Sequence, residues 1–103
     1  MFDMMGKLSQ AKQQAEETKK KLDEVYVKGT SPQNLVTVIS TANGKVTDIQ
    51  INDELLSDKE TLTDLLVLAL NNAQEKAGLL REEELKNTAK DLLPNIPGLD
   101  KLF

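Results

Sequence analysis

The 103-residue chain contains no cysteine and no histidine. Disulfide frameworks and thiolate chemistry are therefore excluded, and the commonest general base and metal ligand is missing. The five glycines are isolated, so there is no glycine-rich phosphate loop, and no serine has a base partner. The carboxylates lack the spacing of a calcium-binding loop. We therefore predict a protein that is not an enzyme and that has no metal, cofactor or small-molecule substrate.

Positive charge is also scarce, since 13 lysine and arginine residues stand against 17 aspartate and glutamate residues, for a net charge of −4. This balance gives no general attraction to nucleic acid or to an anionic membrane, so any polyanion site must be local. Residues 1–8 lack a signal-peptide pattern, and no apolar run approaches the ~20 residues of a membrane span. We predict a cytoplasmic protein without a membrane partner.

Six consecutive apolar residues, from Leu65 to Leu70, lie inside a segment that otherwise has the pattern of an amphipathic helix. A helix that is apolar on every side must be buried on every side. A sheet of the same chain can cover one face, and a second copy is the economical cover for the other, so we predict a homodimer. The part of the predicted interface on this helix comprises Leu65, Leu66, Leu68 and Ala69.

The pattern of the whole chain predicts one domain of the α+β class over residues 1–93. Small and apolar residues recur every three or four positions from Met1 to Val25, which is typical of a narrow helix seam, and strand formers follow. The predicted elements are a helix at 2–24, strands at 25–30, 34–42 and 45–52, a helix at 58–91 and an extended or disordered tail at 94–103.

Two positions in the last helix carry specific predictions. Ser57 and Glu60 have the spacing of a capping box, which predicts that Ser57 caps the helix. Gly78 lies in the helix interior, where glycine costs about 1 kcal/mol relative to alanine. It marks either a break in the helix or a close crossing with the first helix.

Asn43-Gly44 predicts a two-residue type I′ turn between the second and third strands. The resulting register pairs Thr41 with Val46, Ser40 with Thr47, Val38 with Ile49 and Val36 with Ile51. In this register the four apolar residues Val36, Val38, Ile49 and Ile51 share one face of the sheet, and we predict that this face is buried.

The lysines of the first helix allow two interpretations. Most have an acid four residues earlier, a spacing that stabilises an exposed helix by about 0.2–0.5 kcal/mol per pair. The pairs are Asp3–Lys7, Glu16–Lys20, Glu17–Lys21 and Glu24–Lys28. Only Lys12 and, less clearly, Lys19 lack such an acid. Composition favours a solvated helix face, and contact with DNA stays open as the alternative.

Several motifs occur in a specific order. They are a lysine- and glutamine-rich first helix, Gly-x-x-x-x-x-Leu-Val-x-Val from Gly29, Ile49-x-Ile51 before Leu55-Leu56, Asp58-Lys59-Glu60-x-Leu62-x-Asp64-Leu65, Ala69-x-Asn71-x-Ala73, and Asn95-Ile96-Pro97-Gly98. This ordered set, over nearly the whole chain, resembles the YbaB/EbfC family of bacterial nucleoid-associated proteins.

The resemblance implies a protomer with a helix, a three-stranded antiparallel sheet and a long C-terminal helix. It implies a tweezer-like homodimer with protruding helical arms, joined through the sheet and the base of the long helix. The sheet residues of the predicted interface are Val36, Val38, Ile49 and Ile51. It further implies weakly specific binding of double-stranded DNA in the nucleoid, through phosphate contacts that weaken with salt. The DNA-binding residues implied are Lys7, Lys12, Lys19, Lys20, Lys21, Lys76, Arg81, Lys86 and Lys90.

Acidic residues among these bases support a second hypothesis. Glu82, Glu83 and Glu84 depart from what DNA binding favours, because they would repel phosphate. A mixed-charge arm also suits a non-enzymatic protein-interaction module that keeps the fold but binds a protein partner.

Overall fold

The structure, a computed structural model, describes the backbone of residues 2–92 and the side chains of residues 9–90. The helices and strands are α1 (Phe2–Leu22), β1 (Tyr26–Thr30), β2 (Val36–Thr41), β3 (Val46–Ile51) and α2 (Lys59–Leu92). The three strands form one antiparallel sheet in the order β1-β2-β3. The predicted α+β fold class is therefore confirmed, whereas the tail predicted at 94–103 lies outside the described residues.

The core lies between α2 and the first two strands. Val36 and Val38 of β2 and Ala69 and Ala73 of α2 have no exposed surface, and Leu55 is buried beside them. α2 packs on β1 and β2, so it leaves the third strand largely uncovered.

The predicted buried face is therefore only half correct. Val36 and Val38 are fully buried, whereas the Ile49 and Ile51 side chains are 41% and 36% exposed. The reason is that β3 is the edge strand farther from α2, and a single helix is too narrow to cover three strands.

α1 packs on α2 through one narrow stripe. The side chains that form it are Ala11, Ala15 and Thr18, which are half-buried, and Leu22, which is buried. The predicted seam thus matches the buried side of the described part of α1.

Because α1 ends at Leu22, one of the predicted helical ion pairs does not lie on the helix. Glu24 lies in the turn after the helix and Lys28 lies in β1, so the predicted helical pair between them is wrong. The helix stops short because the chain must reach the sheet at Tyr26. The side chains of the predicted pair Asp3–Lys7 lie outside the described residues.

The helix α2 is continuous through Gly78. A Cβ atom at Gly78 would come no closer than 4.0 Å to the nearest side-chain atom, Nη2 of Arg81. Both alternatives predicted for Gly78, a break and a close crossing, are therefore wrong. The helix passes through this glycine because the turns on either side are held by the sheet and by α1.

The turn between β2 and β3 has three residues, not the predicted two. The Gly44 N–H donates to the Thr41 carbonyl at 2.9 Å, and the Thr41 N–H donates to the Lys45 carbonyl at 2.8 Å. Gly44 has a φ of +89°, and Asn43 does not have a positive φ. This is the pattern of a three-residue hairpin loop with a glycine in the left-handed region, so the predicted type I′ turn is wrong.

The longer turn changes the register only near the turn. The predicted pairs Val36–Ile51 and Val38–Ile49 are confirmed, whereas Ser40 lies opposite Val46 and not opposite Thr47. The predicted pair Thr41–Val46 is likewise wrong, because Thr41 bonds to Lys45. A bulge that leaves Thr47 as the extra residue of β3 restores the predicted register farther from the turn.

The start of α2 is capped by Asp58, and the predicted Ser57 cap is wrong. The Asp58 carboxylate accepts from the Thr61 hydroxyl at 2.7 Å and from the Thr61 N–H at 3.2 Å. These two hydrogen bonds, the hydroxyl one first, lower the pKa of Asp58 below its usual value of 3.8. Ser57 is the last residue of the 3-10 turn Asp53–Ser57, one position too early to cap the helix.

Candidate nucleic-acid interface

α1 and α2 run antiparallel and form an arm beyond the sheet. The part of α2 near Gln74 and Lys76 contacts the sheet, whereas residues from Leu80 to Thr88 contact α1. The hydroxyls of Thr18 and Thr88 are 2.9 Å apart in the hydrogen bond that joins the two helices. The arm thus consists of α1 and the C-terminal half of α2.

The β2–β3 turn fixes the root of the arm. The Asn43 side-chain amide donates to the Lys19 carbonyl and to the Asp23 carboxylate, both at 2.7 Å. On the other helix, the Gln74 amide donates to the Gly44 carbonyl at 2.9 Å. The turn therefore holds both helices, and we call the side of the arm on which it lies the turn side.

An open groove of about 410 Å³ lies between the helices on the opposite side. Consecutive helix residues are about 100° apart, so Gln14 and Lys21, each two residues after Lys12 and Lys19, lie on nearly the opposite side of α1. We call this the groove side. The groove is lined by Gln14, Thr18, Lys21, Leu22, Val25, Leu80, Glu84, Asn87 and Thr88.

The lysines of α1 from Lys12 onward are exposed but face different directions. Lys12 and Lys19 are seven residues apart, so they lie within about 20° of each other, and Lys19 is beside the turn. Lys20 is about 200° around the helix from Thr18 and so points away from α2, whereas Lys21 lines the groove. The side chain of Lys7 lies outside the described residues.

The predicted bases of α2 also separate into different surfaces. Arg81 follows Gln74 by seven residues, so helix geometry places it within about 20° of the side chain that contacts the turn, and we assign it to the turn side. Lys86 and Lys90 are about 140° and 180° around the helix from Arg81, so they lie on another flank. The Lys76 ammonium donates to the Lys28 carbonyl at 3.0 Å, so this side chain lies at the edge of β1. The eight predicted DNA-binding residues whose side chains the structure describes therefore do not form one surface.

The acids of the arm are distributed more evenly than its bases. Glu82, Glu83 and Glu84 are all exposed and, being consecutive, face three directions. Glu84 lines the groove together with Lys21. The groove is thus lined by one base, Lys21, and one acid, Glu84, whose charges are opposite.

The predicted interface residues fall into three groups by burial. Val36, Val38 and Ala69 are fully buried within the protomer, so their side chains offer no surface to a partner. Leu65 and Leu66 are partly buried against the core. Ile49, Ile51 and Leu68 are exposed, and Val67, which is absent from the predicted interface, is 50% exposed like Leu68.

The contribution of the hairpin turn to the arm is not evident from the sequence. The Asn43-Gly44 pattern indicates only a turn, and no pattern marks Lys45 as a site residue. The contact between this turn and α1 is nonlocal, because Asn43 and Lys19 are 24 residues apart in sequence.

Neither helix combines the length and apolar character needed to cross a bilayer in the part of the chain that the structure describes. Within the same part, no three histidine, cysteine, aspartate or glutamate side chains are grouped to hold a metal ion.

Comparison with known proteins gives a consistent result. A model of the YbaB/EbfC DNA-binding family matches residues 1–92. A nucleoid-associated protein of Flavobacterium johnsoniae is 47% identical over 100% of this chain and 97% of its own length. A nucleoid-associated protein of Afipia carboxidovorans is 36% identical over 96% of this chain and 97% of its own length.

A solved structure shows the same fold. The crystal structure of an uncharacterised protein, HP0035 of Helicobacter pylori, superposes with a TM-score of 0.70 and 30% sequence identity. The match covers 87% of this chain and 92% of that one.

Proposed function

The chain belongs to the YbaB/EbfC DNA-binding family, a family of nucleoid-associated proteins, and from this premise we propose how it binds DNA. We propose that it acts as a homodimer on the chromosome in the cytoplasm. Its helical arms contact the phosphate backbone of double-stranded DNA, with little sequence preference.

The observation that carries this proposal is the exposure of basic side chains along the arm. Lys12 and Lys19 are both exposed on α1 and, being seven residues apart, lie on the same side of the helix. A Lys ammonium is a compact charge on a flexible stem, suited to phosphate and not to a fixed pattern of base edges. Lysines therefore support affinity without strong sequence preference.

The exposed apolar side chains at the base of the arm support a dimer. Ile49, Ile51, Val67 and Leu68 are between 36% and 50% exposed. A second copy would cover them and would place two arms on one particle. The proposed interface comprises these four residues with the flanking Leu65 and Leu66.

The test is binding of a labelled DNA duplex by fluorescence anisotropy during a salt titration. Affinity should be highest at ~50 mM salt and should fall linearly on a log–log plot as salt increases, because bound phosphates release counterions. Replacing Lys12, Lys19 and Arg81 together by glutamate should abolish binding. A duplex of unrelated sequence should bind about equally well.

Absence of binding at ~50 mM salt, where phosphate contacts are strongest, would contradict the proposal. The exposed acids Glu82, Glu83 and Glu84 then favour the alternative, an interaction module that binds a protein partner. A stoichiometric partner that persists after nuclease treatment would support that alternative.

A further inference from the structure

The two sides of the arm differ in the balance of their charges. The turn side carries Lys12 and Lys19 of α1 and Arg81 of α2, and the hairpin adds Lys45, which directly follows Gly44 and is exposed. On the groove side, Lys21 shares the groove with Glu84, and the amides of Gln14 and Asn87 are uncharged. Positive charge is thus concentrated on the turn side.

The acids at the α1 end of the turn side reduce this charge only in part. Glu16 lies between Lys12 and Lys19 on the helix surface and is exposed. Asp23 accepts the Asn43 amide at 2.7 Å, so the turn already supplies a hydrogen-bond donor to its carboxylate. The four bases of the turn side outnumber these two acids, and they still do when Glu82, which directly follows Arg81 on α2 and is exposed, is counted as a third.

The position of Lys45 relative to the arm is fixed by backbone and side-chain hydrogen bonds. Its N–H donates to the Thr41 hydroxyl at 3.2 Å, and its carbonyl accepts from the Thr41 N–H at 2.8 Å. Two residues earlier, Asn43 contacts the Lys19 carbonyl. The backbone of Lys45 is therefore held in place near Lys19 of α1. This lowers the entropy cost of placing the Lys45 charge on a ligand.

We propose that the arm contacts DNA phosphates with its turn side and that this surface continues onto the hairpin, with Lys45 as a contact residue. The proposal rests on the DNA binding proposed above and specifies which surface makes the contacts. Lys12, Lys19, Arg81 and Lys45 then form one phosphate-binding surface. Lys21 and Lys86, on other flanks, contribute little.

The experiment compares substitutions that remove the same charge from different sides. Lys45→Gln is compared with Lys86→Gln, and Lys12→Gln with Lys21→Gln on a single helix. Each variant is titrated with a labelled duplex at several salt concentrations. Lys12, Lys21 and Lys45 are exposed and Lys86 is half-buried, so glutamine fits at each position, and an unchanged melting temperature serves as the control for folding.

We expect Lys45→Gln and Lys12→Gln each to weaken binding roughly tenfold at ~0.1 M salt and to reduce the log–log salt slope by about 0.9 for each phosphate that is no longer neutralised. Lys86→Gln and Lys21→Gln should leave both affinity and slope nearly unchanged. Equal weakening by the two members of each pair, or no weakening by Lys45→Gln, would overturn this inference while wild-type binding still upheld the proposed function. Failure of the wild type to bind would overturn both.

Discussion

Gly29 lies in β1 where the strand crosses α2. A Cβ atom there would be 2.5 Å from the Ala69 carbonyl oxygen and 2.6 Å from the Ala73 Cβ. Neither a helix backbone nor an alanine Cβ can move aside cheaply, so Gly29→Ala would force the strand and the helix apart. We expect the free energy of unfolding, measured by urea denaturation, to fall by about 1–3 kcal/mol.

Gly78 provides the matched control, because the same substitution there meets open space. The nearest atom to its Cβ would be Nη2 of Arg81, the end of a flexible side chain, at 4.0 Å. Alanine in a helix interior is favoured over glycine by about 0.5–1 kcal/mol, so Gly78→Ala should stabilise the protein. Changes of the same sign at the two glycines would contradict the distinction between a close crossing at Gly29 and open space at Gly78.

At the scale of elements, α2 covers the outer edge of β1 with polar side chains. The Thr30 N–H donates to the Asn72 side-chain oxygen at 3.0 Å, and the Lys28 carbonyl accepts from the Lys76 ammonium at 3.0 Å. Unpaired backbone groups on an edge strand invite pairing with other chains, and these two side chains satisfy one donor and one acceptor of β1 within the protomer.

Asn72→Ala should therefore cost about 0.5–1.5 kcal/mol of unfolding free energy, because it leaves the Thr30 N–H without its acceptor. Asn71→Ala is the control, since Asn71 is the preceding residue on the same helix and is exposed. It should change stability by less than about 0.5 kcal/mol. Urea denaturation of both variants measures the difference. Equal changes would show that the hydrogen bond from Thr30 to Asn72 adds nothing beyond helix propensity, which favours alanine at both positions.

The helices and strands can be predicted from the sequence because local patterns encode them. The exact residue at which an element begins or ends is not encoded in this way. The sequence places Asn43-Gly44 in a hairpin, but the length of the turn also depends on the bonds from Asn43 to Lys19 and from Gln74 to Gly44. The residues joined by the first bond are 24 positions apart in sequence and those joined by the second are 30 apart, so no local pattern contains both members of either pair. The cap of α2 similarly depends on Thr61 as the donor to Asp58.

The sequence supplies candidate bases for the site but not the surface on which they lie. The sequence identifies Lys12, Lys19 and Arg81 as bases on helices, and helix geometry gives their angles about each axis. Which angles face the same way depends on how α1 lies on α2, and that is set by tertiary contacts such as Thr18–Thr88. Lys76 is one of the predicted DNA-binding bases, but its ammonium donates to the Lys28 carbonyl at the edge of β1.

At the scale of the whole molecule, the protomer leaves apolar surface uncovered next to its own core. Ala69 is fully buried, whereas Leu68 and Val67, one and two residues earlier on α2, are each 50% exposed. Ile49 is 41% exposed on the strand that α2 does not cover. The predicted all-round burial of Leu65 to Leu70 is therefore not achieved within one protomer, which supports the proposed dimer.

Leu68→Asp tests the dimer with little effect on the protomer, because the Leu68 side chain is half-exposed there. Full burial of a leucine contributes about 1.5–3 kcal/mol. Because Leu68 is 50% exposed in the protomer, the interface would supply about half of this in each subunit, and the substitution removes both halves. We expect the dimer dissociation constant to rise by roughly a hundredfold, as measured by sedimentation equilibrium, while circular dichroism shows unchanged helix content. Leu79→Asp is the control, since it makes the same substitution on α2 at a side chain that is 61% exposed and lies on the arm. It should leave the dissociation constant unchanged, and a Leu68→Asp protein that stayed fully dimeric would show that this face of α2 is not between subunits.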